Sequence, residues 1–381
     1  MSDHFIRGAA AFVGVGLAGM GLAPGYTHLD LIGLAVHDAL SDAGYRLAEV
    51  DGLYTANMSN ILPTLAVGEY LGIRPKVAVG TNTGGNSLID HALWAALALD
   101  AGLCNVALIC YGSNQRTGKS APPDQPPYES AFHSRDPITS YALAAARHMH
   151  QYGTTREQLA AVAVAARQWA QRNPAAFARD PLTIADVLAS RMICDPLSVL
   201  DCCLVTDGAG ALVMTRAEQA RNRAQPPVYL LGCASAQSHR QISQMPDLTT
   251  TAAAQSGPRA FSMAGLAPRD VDVLQLYDAF TINVLLFLED LGFCERGAAG
   301  SLVASGAIAP GGSLPVNTNG GGLSCVHPGM YGIFALIEAI EQLRGGAGDR
   351  QIEGAEVALA HGNGGMLSAQ TTAILGTAAT L

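Results

Sequence analysis

The sequence is poor in charge: 14% of its 381 residues are Asp, Glu, Lys or Arg, and the formal net charge is −9. Proteins that bind nucleic acid through its phosphates need a basic surface, so this composition argues against that function class. Lysine is especially scarce, with only Lys76 and Lys119 in the chain. Schiff-base catalysis needs a lysine amine, so an aldolase of that kind is disfavoured.

Motifs for metals and nucleotides are also missing. The eight cysteines include no CxxC pair, which argues against a zinc site, and a chain this long and apolar is expected to keep them reduced in a cytoplasm. His148 and His150 lie two apart on a predicted helix and point to different sides, so we interpret them as structural. The glycine-rich turns lack the Gly-Lys-Ser/Thr of a P-loop, and no GxSxG nucleophile elbow occurs. We therefore predict neither a metal nor a bound cofactor.

The chain is rich in apolar residues (49% hydrophobic) and contains 42 glycines. This composition is typical of a compact α/β protein. The apolar stretch near the N-terminus is interrupted by glycines, so we predict a buried strand at Ala11–Gly16 instead of a signal peptide, and no membrane segment. Helix-like and strand-like segments then alternate, as in a layered α/β fold. The clearest are helices at Asp30–Ala43 and Asn86–Ala101 and strands at Asn105–Gly112 and Asp207–Met214.

The second half of the chain repeats the first in outline. TNTGG at residues 81–85 and VNTNGGG at residues 316–322 each precede a predicted helix, a glycine-rich turn and an apolar strand. This similarity indicates a duplicated βαβ unit. We predict an N-terminal half at residues 1–220 and a C-terminal half at 221–381. A polar, proline-rich stretch followed by helices, at about residues 113–191, is predicted to be an inserted loop domain, or lid.

Four motifs, in matching order over nearly the whole chain, resemble those of the thiolases. They are DPLSVLDCCLVTDGAGA at residues 195–211, YDAF at 277–280 (His-Asp-Cys-Phe in sterol-carrier-type thiolases), NTNGGGLSCVHPGMYG at 317–332, and HGNGG at 361–365. The resemblance implies the thiolase fold, two βαβαβαββ halves in five layers, usually as a homodimer. Members without the catalytic cysteines often pair with a small OB-fold protein, which implies a heterotetramer.

Both thiolase cysteines are absent. Gly85 takes the place of the nucleophile, which in thiolases is a cysteine at a helix N-terminus, where the helix dipole favours the thiolate. Ala279 takes the place of the second cysteine, which moves a proton at the substrate α-carbon. Cys325 is near His327 in sequence, but a cysteine is more often inert packing. Claisen condensation through an acyl-enzyme should therefore not run.

The remaining motif residues keep a site for polarising a thioester. His327 matches the family histidine that hydrogen-bonds a thioester oxygen, and Gly84 and Gly85 leave backbone N–H groups open to a ligand. Tyr277 replaces the motif histidine and Tyr331 lies four residues after His327; either phenol could serve as acid, or as base if its pKa were lowered. Two further sets were predicted: Asp278 as a catalytic residue that orients a neighbour or holds the loop, and Asn317, His361 and Gly364 as substrate-binding or oxyanion-binding residues.

Thiolase-fold enzymes of the retro-aldolase type, known from steroid side-chain breakdown, resemble this pattern. They imply cleavage of a β-hydroxyacyl-CoA to a ketone or aldehyde and a shortened acyl-CoA, with coenzyme A entering as part of the substrate. Two alternatives stay open from the sequence. One is a degenerate thiolase that binds acyl-CoA or acts as a scaffold. The other is an acyltransferase subunit of a complex with an OB-fold protein.

Overall fold

The computed structural model describes residues 7–57, 59–118 and 128–381. Its strands are β1 (Ala10–Gly21), β2 (Gly52–Thr55), β3 (Val77–Val79), β4 (Ala107–Ser113), β5 (Met192–Cys194), β6 (Leu197–Ser198), β7 (Asp207–Arg216), β8 (Val228–Gln237), β9 (Val273–Leu276), β10 (Val357–Gly364) and β11 (Ala369–Gly376). Its helices are α1 (His28–Ala43), α2 (Pro63–Leu71), α3 (Ser87–Asp100), α4 (Ile138–Tyr152), α5 (Arg156–Gln171), α6 (Ile184–Ala189), α7 (Ala217–Ala220), α8 (Ala253–Ala264), α9 (Thr281–Asp290), α10 (Ala299–Ala304) and α11 (Gly332–Arg344). The predicted strand at Ala11–Gly16 is confirmed as part of β1.

Nine strands form one sheet in the order β3-β2-β4-β7-β1-β8-β11-β10-β9. Its two halves have the same topology. In the first, β2 runs parallel to β3 and β4, while β7 is antiparallel to β4 and β1. In the second, β9 runs parallel to β10 and bridges in parallel to Val316, while β11 is antiparallel to β10 and β8. A short β1–β8 pairing, Ala11 with Tyr229 and Phe12 with Val228, joins the halves.

The helices complete the five layers that the sequence predicted. Helices α3 and α11 contact each other and strands of both halves, so they form the central layer. Helices α1 and α2 cover the first half of the sheet, and α8 and α9 cover the second. A glycine permits close contact at the same place in each half: a Cβ on Gly16 would lie 2.1 Å from Ala35 O of α1, and one on Gly232 would lie 2.3 Å from Ala260 O of α8.

The predicted insertion connects β4 to β7 and contains α4, α5 and α6. Helix α5 begins with a capping box between Thr155 and Gln158, and its apolar face is buried. Residues 119–127 of the insertion, with Lys119, lie outside the described residues. Within the described part of the chain, no helix has the length and apolar character needed to cross a bilayer.

Candidate active site

A cavity of about 800 Å³ is bordered by the glycine-rich turn before α3 and by the loops that follow β9 and β10. The loop that follows the π-helical turn at Gly321–Cys325 completes the border. This volume is in the usual range for small-molecule sites. Its lining residues come from both halves and from the insertion: Asn82, Thr83, Gly84, Gly85, Pro137, Tyr141, Cys203, Gln237, Ser238, His239, Arg240, Tyr277, Ala279, Phe280, His327, Gly329, Met330, Asn363, Gly365, Met366, Ser368 and Ala369.

Tyr277 follows β9, and its hydroxyl has three polar neighbours. The hydroxyl lies 3.1 Å from His327 Nε2, accepts a hydrogen bond from Tyr331 N–H at 3.2 Å and can donate to Gly329 O at 3.2 Å. Burial raises the pKa of the phenol well above its usual value of 10. Tyr277 is therefore a neutral phenol at physiological pH and is not a ready-made base.

The Tyr277 ring lies against Gly85. A Cβ on Gly85 would come within 2.3 Å of Tyr277 Cε2 and 2.5 Å of its hydroxyl oxygen, distances that real Cβ atoms do not tolerate. The space beside Gly85, where the resemblance places a nucleophile, is thus filled by the tyrosine. A thiol at residue 85 and the observed Tyr277 conformation exclude each other.

The glycine turn also presents a backbone donor. Gly84 has φ +95°, and a Cβ there would meet Gly364 Cα at 2.7 Å, so only glycine fits. Its N–H donates to Asn82 Oδ1 at 3.0 Å. No described residue accepts a hydrogen bond from the Gly85 N–H, and Gly85 lines the cavity just before α3 begins at Ser87. An unpaired N–H at a helix start can hydrogen-bond a negatively charged oxygen.

His327 is buried beside Tyr277, with its ring edge-on to the tyrosine ring at a centroid distance of 5.6 Å. Its main chain is fixed, because His327 N–H donates to Thr206 Oγ1 at 2.9 Å and His327 O accepts from Gln115 Nε2 at 2.7 Å. Burial lowers the pKa of the imidazole to about 4, so the ring is neutral near pH 7. A neutral ring can accept a proton from the phenol or return one to it.

Several known proteins are similar to this chain over most of its length. A lyase of Mycobacterium tuberculosis named 17-hydroxy-3-oxo-4-pregnene-20-carboxyl-CoA lyase is 36% identical over 360 residues, covering 89% of this chain and 92% of that protein. A steroid side-chain-cleaving aldolase of Thermomonospora curvata is 34% identical over 370 residues, covering 89% and 91%. The family model described as thiolase C-terminal domain-like matches residues 234–377. The chain belongs to the thiolase superfamily.

Solved structures of thiolase-fold proteins also match the chain, and one of them is named as an aldolase. A structure named Ltp2-ChsH2(DUF35) aldolase matches with a TM-score of 0.89 and 32% identity, covering 98% of both chains. Human mitochondrial 3-ketoacyl-CoA thiolase matches with a TM-score of 0.71 at 17% identity, covering 98% of this chain and 99% of that one, which shows the shared fold. The acetyl-CoA acetyltransferase of Methanothermobacter thermautotrophicus is 34% identical, covering 93% of this chain and 96% of that protein.

Tyr331, the other predicted tyrosine, contributes its backbone to this thiolase-family site. Its hydroxyl donates to Asn319 Oδ1 at 3.0 Å, its side chain is fully buried, and it does not line the cavity. Burial raises the pKa of this phenol well above 10 as well. The structure therefore favours Tyr277 over Tyr331 as the tyrosine that touches substrate, and a role for the Tyr331 hydroxyl stays a prediction.

Asp278 and Asn317 hold the frame of the site and do not face the cavity. Asp278 accepts hydrogen bonds from the N–H groups of Gly322 at 2.6 Å and Leu323 at 3.3 Å, so it fixes the glycine-rich turn. Asn317 Oδ1 accepts from Leu276 N–H at 2.7 Å, at the end of β9. Asp278 thus fixes the loop, which is one of the two roles predicted for it. Oxyanion binding by Asn317 stays a prediction, and Asn317 does not line the cavity.

Asp278 makes stability depend on pH. Burial raises the pKa of its carboxyl from 3.8 to about 7, against the lowering effect of its backbone donors. The folded state keeps this proton to higher pH than the unfolded chain, so this contribution to stability is lost as pH rises from about 4 to 7. We expect the melting temperature of Asp278→Asn, relative to wild type, to rise with pH across that window. Thermal melts in matched buffers test this, and a pH-independent difference would contradict it.

His361 and Gly364 also lie behind the cavity wall. His361 is fully buried in β10, with Nδ1 2.9 Å from Thr372 Oγ1 and Nε2 3.0 Å from Gln370 Oε1. A Cβ on Gly364 would lie 1.9 Å from Thr83 O, so this glycine lets β10 approach the turn before α3. Neither residue lines the cavity, and their assignment as substrate-binding or oxyanion-binding groups stays a prediction.

Sequence reasoning missed Tyr141, Asn363 and Cys203, all of which line the cavity. Tyr141 lies in the insertion, in a segment without a family motif, whereas Asn363 belongs to the HGNGG motif and could have been found there. Burial raises the pKa of the Cys203 thiol, so it is protonated and not an activated nucleophile. Cys325 is buried outside the cavity, and burial raises its pKa too.

The two histidines of α4 differ in environment. His148 is fully buried, 2.8 Å from Thr154 Oγ1 and 3.2 Å from Glu289 of α9, and so ties the insertion to the second half of the chain. His150 is exposed at the end of α4. Among the described residues, no group of three or more His, Cys, Asp or Glu side chains is arranged to hold a metal ion.

Proposed function

We propose that this protein is a carbon–carbon lyase that cleaves a β-hydroxyacyl-CoA by a retro-aldol reaction. The products are a ketone or aldehyde and a shortened acyl-CoA. The observation that carries the proposal is the Tyr277–His327 pair, at 3.1 Å, lying in the space beside Gly85. Neither thiolase cysteine position carries a thiol, and burial keeps the thiol of Cys203, which lines the cavity, protonated. The arrangement keeps groups that move protons and stabilise an enolate.

The first step breaks the Cα–Cβ bond. The β-hydroxyl of the substrate gives its proton to the Tyr277 oxygen while the phenolic proton moves to His327 Nε2. The oxygen electron pair forms the carbonyl at Cβ, and the electrons of the broken bond delocalise onto the thioester oxygen. This relay avoids a free phenolate, which the raised pKa of Tyr277 would make rare. His327 is neutral before this step because burial lowers its pKa to about 4, and for the same reason the imidazolium that forms is short-lived and gives its proton back in the second step.

The second step protonates the enolate. The Gly85 N–H, which no described residue accepts, donates a hydrogen bond to the enolate oxygen. The proton on His327 then returns through Tyr277 to Cα, which gives the shortened acyl-CoA and restores the neutral pair. Protons and electrons balance within substrate and protein, so we propose that no metal or redox cofactor takes part and that coenzyme A enters only with the substrate.

The proposed acyl group is bulky and resembles a steroid side chain. Two relatives named as steroid side-chain-cleaving aldolase and as a pregnene-carboxyl-CoA lyase support this choice, as does a cavity of about 800 Å³. The test is to incubate the purified protein with a panel of β-hydroxyacyl-CoA esters and measure ketone and shortened acyl-CoA together. Binding across the panel without cleavage would favour an acyl-CoA-binding or scaffold role instead.

We propose a homodimer formed through β3. This strand pairs with β2 on one side and lies at the edge of the sheet, with the side chain of Ala78 exposed and those of Val77 and Val79 half-buried. Unpaired edge strands are available for pairing with another chain. Light scattering after gel filtration should give about twice the 39.4 kDa chain mass, whereas a mass of one chain would contradict the proposal.

A small OB-fold protein is proposed as a second partner, giving a heterotetramer. Support comes from the matched structure, whose name pairs Ltp2 with ChsH2(DUF35). Co-expression with a neighbouring gene for such a protein, followed by affinity purification through one tag, tests the association. We also propose a cytoplasmic location, in keeping with eight free cysteines.

A further inference from the structure

A second polar pair lines the same cavity as Tyr277. Tyr141 of α4 and Asn363 of β10 are both buried, and Asn363 Nδ2 donates to the Tyr141 hydroxyl at 2.7 Å. The same hydroxyl lies 3.2 Å from Gly365 O. Tyr141 and Tyr277 both line the cavity. Two phenols thus border one cavity, although only Tyr277 belongs to a family motif.

The orientation of the Asn363 amide is set by a chain of buried hydrogen bonds. Burial lowers the pKa of His361 to about 3, so its ring is neutral and has one donor and one acceptor nitrogen. Nε2 faces Gln370 Oε1, which can only accept, so Nε2 carries the proton and Nδ1 accepts from Thr372 Oγ1. Gln370 Nε2 then donates to Asn363 Oδ1 at 2.8 Å. The amide nitrogen of Asn363 is thereby directed at the Tyr141 hydroxyl.

The same series of hydrogen bonds also fixes the direction in which the Tyr141 hydroxyl can donate its proton. Because the hydroxyl accepts from Asn363, its own proton is available to an acceptor in the cavity, with Gly365 O as the resting partner. The Tyr141 ring is held by stacking on Phe280, at a centroid distance of 4.3 Å and an interplanar angle of 30°. A fixed ring with a directed proton suits recognition of one oxygen in an otherwise apolar group.

Burial raises the pKa of the Tyr141 phenol to about 12. The hydroxyl therefore keeps its proton near pH 7 and acts as a hydrogen-bond donor.

We propose that Tyr141, oriented by Asn363, binds the β-oxygen of the acyl group and holds it next to Tyr277. This rests on the proposed lyase function, because that reaction needs the β-hydroxyl close to Tyr277. As the C–O bond becomes a carbonyl, the Tyr141 hydroxyl continues to donate to it. The residue thus selects acyl-CoA esters that carry oxygen at Cβ over saturated ones of the same length.

The test compares the binding of two CoA esters that differ only in the β-hydroxyl, by calorimetry. A Tyr277→Phe background prevents turnover. We expect this background to prefer the β-hydroxyacyl-CoA, and the added Tyr141→Phe change to weaken binding of that ester by roughly three- to tenfold, as loss of one hydrogen bond predicts. Binding of the saturated ester should not change. Asn363→Ala should give part of the same loss.

Tyr152→Phe provides the matched control. Tyr152 lies on the same helix, but its hydroxyl accepts from Gln151 Nε2 and does not line the cavity. If the wild-type protein cleaves the β-hydroxyacyl-CoA but the preference for that ester survives Tyr141→Phe in the Tyr277→Phe background, the assignment of Tyr141 alone is overturned. Loss of the preference in a protein that cleaves none of the esters would leave the β-oxygen site standing and refute the lyase function.

Discussion

Replacing Tyr277 by phenylalanine is expected to lower kcat for retro-aldol cleavage by about 10²- to 10⁴-fold, the usual contribution of a general acid–base group. The change removes one oxygen, the atom through which the substrate proton reaches His327 Nε2. The ring that fills the space beside Gly85 stays, so the fold should be little affected. Steady-state assays of ketone release, with thermal melts to confirm folding, measure the effect.

Tyr331→Phe is the comparison that separates the two tyrosines. Its hydroxyl bonds to Asn319 outside the cavity, while the backbone N–H that donates to Tyr277 is unchanged by the substitution. We therefore expect a much smaller loss of kcat than for Tyr277→Phe. A loss in Tyr331→Phe as large as that in Tyr277→Phe would show that the Tyr331 hydroxyl moves into the cavity during the reaction. Full activity in Tyr277→Phe would contradict the relay.

Gly85→Ala is expected to abolish most activity, with a loss of at least about 10²-fold, because displacing a catalytic group by about 1 Å is that costly. The new Cβ would lie 2.3 Å from Tyr277 Cε2, and the ring must move away from His327. Overpacking of this kind costs roughly 1–3 kcal/mol, so the melting temperature should also fall. Gly85→Cys should behave in the same way and should not gain thiolase activity.

Gly68→Ala is the control for the Gly85 variants. Gly68 is a buried glycine in α2, and a Cβ there would have ordinary contacts at 3.6 and 3.8 Å. This variant should keep wild-type kcat. If Gly85→Ala retained wild-type activity as well, the close packing of Tyr277 on Gly85 would not be a requirement of the site.

Much of the fold could be predicted because its elements have local signals. The helix predicted at Asp30–Ala43 is α1, which starts two residues earlier after a capping box between Thr27 and Asp30. The helix predicted to follow VNTNGGG is α11, at Gly332–Arg344. The short β1–β8 pairing that joins the halves has no such signal, since it involves only two residue pairs.

The site was harder to predict because motif residues do not all point the same way or lie at the same depth. His361 and Asn363 lie two residues apart on one face of β10, about 7 Å apart along the strand. Over that distance the strand passes from the core, where His361 is buried, to the cavity, which Asn363 lines. Contacts between distant segments, such as Tyr277 with Gly85 or Tyr141 with Asn363, leave no trace in a single sequence.

The central claim is that a thioester enolate forms without a covalent acyl-enzyme, and cleavage in D₂O tests it most directly. Mass spectrometry of the shortened acyl-CoA, corrected for exchange in product incubated alone, should show one solvent deuterium at Cα. The intact protein, quenched during turnover, should carry no added acyl mass. An acyl adduct on the protein, or a shortened acyl-CoA without solvent deuterium at Cα, would contradict the account.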